Sequence, residues 1–125
     1  MSKIAIDFMI KSIDSKQEFS TVGQIEENTI TFIDPSKDLN NITLFNDEVV
    51  YQKSGSSNLH FTFHKHQPTK GTYQTFNYTF EFTVHVTDFE VEERIINIAY
   101  QLYQEEELVN EASLYLYYEF AKEEL

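Results

Sequence analysis

From residue 78 to residue 87 the chain reads Y-T-F-E-F-T-V-H-V-T, a nearly unbroken alternation of large apolar and polar residues. Successive side chains on a strand point to opposite faces. Tyr78, Phe80, Phe82, Val84 and Val86 therefore share one face, and Thr79, Glu81, Thr83, His85 and Thr87 the other. The same period runs through Ile4, Ile6, Phe8 and Ile10, through Phe19, Thr21, Gly23 and Ile25, through Leu59, Phe61 and Phe63, and through Ile96, Ile98, Tyr100 and Leu102. Turn chemistry separates these runs at Glu27-Asn28, Asp34-Pro35-Ser36-Lys37, Asn46-Asp47, 54–58 and 67–71, with a break near Asn77. Short strands, short connections and no crossover helix specify antiparallel up-and-down pairing. Closing the sheet removes its edges, so the expectation is an all-β barrel of about eight to ten strands formed by residues 1–125 as one domain.

One stretch reads two ways. Leu108, Ala112, Leu116 and Phe120 fit a helical stripe, whereas Ala112, Leu114, Leu116 and Tyr118 fit a strand. The aromatic run L-Y-L-Y-Y and the need to pair a sheet edge favour the strand.

Composition narrows the function classes. Hydrophobic residues make up 41% and aromatics 15%, enough for a packed core. There is no cysteine, hence no disulfide framework and no thiolate metal site. Asp7 and Lys11 interrupt the apolar N-terminal stretch, which makes it a poor signal peptide, and no run approaches the ~20 apolar residues of a membrane span. A soluble cytoplasmic protein is the expectation. The net charge of −12 is uneven: residues 1–87 carry 10 acidic and 7 basic side chains, residues 88–125 carry 11 and 2. Such a surface repels phosphate backbones and anionic lipid, so nucleic acid and membranes are poor partners.

The three glycines and their neighbours carry a family resemblance. Glu18-Phe19-Ser20-Thr21-Val22-Gly23, Lys53-Ser54-Gly55, Gly71-Thr72-Tyr73-Gln74-Thr75 and Ile96-Asn97-Ile98-Ala99-Tyr100 occur in an order and spacing that resemble the YwiB-like family of low-GC Gram-positive bacteria. Asn77 and Arg94 stand where that family tends to have glycine. The resemblance implies a calycin-like (lipocalin-like) barrel and supplies no activity, cofactor or catalytic residue. Gly23 suits a bulge or sharp coiling inside a strand, and Gly55 and Gly71 read as turn residues.

Candidate chemistry is sparse. His60, His64 and His66 share parity on one strand, and imidazoles at i and i+2, about 7 Å apart, can chelate zinc, with Glu81 or His85 as a third ligand. Because Phe61 and Phe63 face the core, the histidines are expected to face water, and His64 and His66 stay weak candidates. The carboxylates at 88–93 and 105–107 fall at opposite ends of a strand, about 30 Å apart, with no calcium-loop spacing. No G-x-S-x-G elbow, triad context or phosphate-binding loop occurs, and no cofactor is expected. The interior remains. Phe61, Tyr73, Tyr78, Phe80, Phe82 and Tyr100 are expected to line it and to contact a small apolar ligand, with tyrosine hydroxyls orienting it. The alternative is a solid-core barrel acting as a protein-interaction module through outward Tyr103, Tyr115 and Tyr117.

Overall fold

A computed structural model describes residues 1–121. Ten strands follow one another along the chain: β1 (Ser2–Ser12), β2 (Lys16–Glu26), β3 (Thr29–Ile33), β4 (Leu39–Leu44), β5 (Glu48–Ser54), β6 (Asn58–His64), β7 (Thr69–Gln74), β8 (Thr79–Glu92), β9 (Ile95–Gln104) and β10 (Glu107–Phe120). Each pairs with its sequence neighbours, and β10 returns to β1, closing an antiparallel barrel. The ambiguous C-terminal stretch is thus a strand. It pairs with β1 from Ile4 opposite Phe120 to Ser12 opposite Ala112, and with β9 on its other side. A helix there would leave both neighbours with unpaired backbone groups.

The inner face is set by register. On β4 to β8 the row nearest one end of the barrel runs Asn40, Lys53, Leu59, Tyr73 and Phe80 across successive strands. Beneath it lies Ile42, Tyr51, Phe61, Gly71 and Phe82. Deeper still are Leu44, Val49 and Phe63, with Val84 on β8. We call the end carrying the first row the mouth. Its turns are 13–15, 34–38, 55–57, 75–78 and 105–106.

A bulge explains a change of phase in the sequence. The β8–β9 register shifts between Val86 and Asp88, so inward positions are even up to Val86 and odd at Phe89 and Val91. The barrel wall is thin at one place: β2 pairs with β3 only through Gln24, Ile25 and Glu26, while its pairing with β1 continues to Lys16.

Gly71 is not a turn residue. It lies in β7, where Phe61 covers it; an added Cβ would meet the Phe61 ring at 2.5 Å and Val84 Cγ2 at 3.0 Å. A glycine roofed by an aromatic ring lets a wide side chain fit a narrow barrel. Gly55 does sit in a turn, at φ +148°, and a side chain there would collide with the Asp38 carboxylate. Arg94 has φ +68°, the left-handed conformation that glycine adopts most easily.

Candidate functional site

The six residues expected to line the interior form one continuous chain of rings. Tyr78 and Tyr73 approach Phe80 with centroids 6.2 and 6.3 Å apart. Phe80 stacks on Phe82 at 6.5 Å, Phe82 meets Phe61 edge-on at 6.1 Å, and Phe61 meets Tyr100 at 6.3 Å. All these separations lie in the range of favourable aromatic pairs. Depth, however, differs from the expectation. Phe61 and Tyr100 are buried, Tyr73 and Phe82 are half-buried, and Phe80 and Tyr78 are 39% and 67% exposed. Tyr78 precedes β8, whose first four residues, like Tyr78, lie beyond its pairing with β9.

Tyr100, at the inner end of this chain, is 5% exposed. Its ring packs on Phe63 with centroids 4.7 Å apart. Burial raises its pKa to about 12. The hydroxyl has no hydrogen-bond partner among the described residues, and no fully sealed side-chain oxygen or nitrogen there lacks one. The Tyr100 oxygen therefore opens onto space that water can reach. A fully closed site would impose the cost of an unmade bond, about 1–3 kcal/mol.

The other side of the mouth carries a polar cluster that the sequence analysis did not pick out. Asp34 and Asp38, in the turn between β3 and β4, are buried together with Asn40. Lys53 Nζ lies 3.3 Å from Asp34 Oδ2 and 3.6 Å from Asp38 Oδ2. Asn40 Nδ2 donates to Asp34 Oδ2 at 3.1 Å, and the Tyr51 hydroxyl donates to Asn40 Oδ1 at 2.5 Å. Ser56, from the turn between β5 and β6, donates its backbone N–H to Asp38 Oδ1 at 2.8 Å. Burial by itself pushes the Asp34 carboxyl up, but hydrogen bonds from Asn40 and the Asp38 backbone, with the Lys53 charge, outweigh it and hold the group below its ordinary 3.8. Burial and the facing Asp34 charge push the Tyr51 hydroxyl far up. The cluster is internally satisfied and bolts two mouth turns together. Its signal was parity: Asp34 continues the inward phase of Phe32, and Lys53 that of Tyr51.

Beside the ring chain a groove of about 590 Å³ opens where β8 rises past the β9–β10 turn. Phe82 and Tyr103 lie in its walls with Glu81, Glu105, Glu107 and Lys70. It forms because β8 pairs with β9 only from Thr83 onward, leaving the segment from Thr79 to Phe82 unpaired on that side.

The histidines do not make a strand-face chelate. β6 ends at His64, and His66 lies in the following turn, where its backbone N–H donates to His64 Nδ1 at 3.1 Å and its Nε2 faces Asp47 at 3.9 Å. His85 packs against the Tyr103 ring, 4.8 Å between centroids. Among the described residues no group of three or more His, Asp or Glu side chains is placed to hold a metal ion. Nor do Tyr103, Tyr115 and Tyr117 form one outer patch. Tyr103 pairs with Leu108 and Tyr115 with Asn97, six residues away along β9, or about 20 Å.

Fold and mouth together define a small calycin-like barrel: ten antiparallel strands, up and down, with an aromatic inner wall that rises out of the core. The chain belongs to a family described as a domain of unknown function, DUF1934, whose model matches residues 4–116. It is also similar in fold to the crystal structure of the ywiB protein from Bacillus subtilis, with a TM-score of 0.71 and 16% identity, covering 96% of this chain and 91% of that one. Comparison with curated proteins finds no match.

Proposed function

We propose that this barrel is a non-enzymatic, cytoplasmic binding protein that takes a small, largely apolar ligand at its mouth. The apolar body lies along Tyr78, Phe80 and Phe82, and the inner end reaches the space onto which Tyr100 opens. The observation that carries this reading is the Tyr100 hydroxyl, unpartnered within the protein yet not sealed from water, on a buried ring at the end of an unbroken ring chain. The ring chain runs without a break from the buried Tyr100 to Tyr78, which is two-thirds exposed. Binding there costs little reorganisation, because the walls are strands rather than mobile loops.

Titration with Nile red, an uncharged environment-sensitive dye, tests this. The expected result is stoichiometric binding at micromolar concentration that Phe80→Ala weakens at least about tenfold. A ligand at 100 times its dissociation constant raises stability by about 2.7 kcal/mol. No saturable binding, or binding unaffected by Phe80→Ala, would reject the mouth as the site.

A further inference from the structure

The inner wall around Tyr100 is polar without being charged. Tyr100 pairs with Ala112 on β10, and Ala112 pairs with Ser12 on β1, so the three share one inward row. Ala112 puts only a methyl group between the other two. One step toward the mouth, Asn110 pairs with Leu102 on the same face, which makes it a diagonal neighbour of Tyr100, roughly 7–8 Å away at Cα. The Ser12 hydroxyl is shared with Ser15 at 2.8 Å. Nearby side-chain hydrogen bonds join Gln101 to Glu111 and Tyr103 to Gln101; among the described residues none involves Tyr100 or Asn110. Yet Tyr100 is 5% exposed and Asn110 half-buried. Charge is missing from this wall in both signs. No inward neighbour of Tyr100 on β8, β9 or β10 is acidic. Among the described residues Lys53 is the only lysine or arginine that is not exposed, and it already faces Asp34 and Asp38.

We infer that the ligand carries an uncharged hydroxyl at its inner end, an alcohol or phenol on an apolar body, which accepts a hydrogen bond from Tyr100 and donates one to the Asn110 carboxamide. This rests on the binding reading above and adds the chemistry of the head group to it. Burial keeps Tyr100 protonated at neutral pH, so it enters as a donor. A hydroxyl both accepts and donates, and so satisfies a phenol and an amide oxygen together. A hydrocarbon end would exclude water from Tyr100 and leave its hydrogen bond unmade. A carboxylate would be buried with no free cation to meet it, and an ammonium with no carboxylate beside it. Either charge costs far more to desolvate than a hydroxyl that finds its partners.

Three probes of one shape, competed against Nile red on the whole protein at pH 7, test the head group: 4-phenylbutan-1-ol, 4-phenylbutyrate and n-butylbenzene. The alcohol binds at least about tenfold more tightly than the carboxylate, which must shed its hydration. Tyr100→Phe weakens the alcohol at least about fivefold and leaves n-butylbenzene within about twofold, because only the alcohol loses a partner. The Tyr100 hydroxyl makes no bond within the fold, so this variant keeps the packing of the ring. Asn110→Ala is the second variant, and it too weakens the alcohol selectively. Carboxylate binding equal to or tighter than that of the alcohol overturns the assignment. If Nile red binds and the alcohol fails to displace it, or if neither substitution separates the alcohol from n-butylbenzene, the hydroxyl pairing is refuted while the mouth stands as a site. If Nile red and all three probes fail to bind, the binding reading itself is lost, and this inference with it.

Discussion

Phe63 has no exposed surface and packs against both Phe61 and Tyr100, so truncating it leaves a cavity that surrounding strands cannot collapse into. Phe63→Ala is expected to cost about 3–5 kcal/mol in urea unfolding. Tyr78→Ala, at 67% exposure, should change stability by no more than about 0.5 kcal/mol while weakening Nile red binding. That separation of stability from binding distinguishes a ligand contact from a core residue. Asp34 gives a prediction of the opposite kind. Its carboxyl is held below 3.8 in the fold, so its contribution is fully present above that value and is lost as pH falls through 3.8 toward the lower folded pKa. Asp34→Asn should therefore flatten the acid limb of a stability-against-pH curve. Removing the cation instead, by Lys53→Met, strands two buried carboxylates and is expected to cost about 3–5 kcal/mol. Sequence alternation fixes which side a residue such as Phe80 or Tyr78 faces. It carries nothing about where a neighbouring strand stops covering that side, and β9 pairs with β8 only from Thr83, which leaves Phe80 and Tyr78 exposed.

At the scale of elements, the turn between β9 and β10 places two glutamates in the left-handed region, where any side chain crowds the backbone. Glu106→Gly is expected to raise stability by about 1 kcal/mol, measured by chemical denaturation, because glycine removes that strain. Gly71→Ala runs the other way. Its Cβ would enter the Phe61 ring, and overpacking of this sort costs about 1–3 kcal/mol. Most strands could be read from period 2 alone. The exceptions have physical causes: the bulge between Val86 and Asp88 inverts the phase of β8, and Gly71 looks like turn chemistry only until Phe61 is placed above it. The C-terminal strand could not be settled locally, since what decides it is pairing with Ile4 to Ser12, at the other end of the chain.

For the molecule as a whole, closure of ten strands turns one apolar face to the interior, and the ring chain from Tyr100 to Tyr78 leaves that interior at the mouth. The family of the chain and the fold it shares with the ywiB protein from Bacillus subtilis agree with what the ordered sequence pieces implied. The mouth cluster joins the turns at 34–38 and 55–57 through the pairing of β4 with β5; the inward parity of Asp34 and Lys53 is legible in the sequence, their contact with each other is not. The most direct test of the account is a backbone amide NMR titration with 4-phenylbutan-1-ol, an uncharged, largely apolar probe. Saturable shifts centred on Gly71, Phe80 to Phe82, Tyr100 and the turn at 105–106, with the opposite end of the barrel unmoved, are the predicted result. Shifts confined to the opposite end, or none up to millimolar ligand, would contradict it.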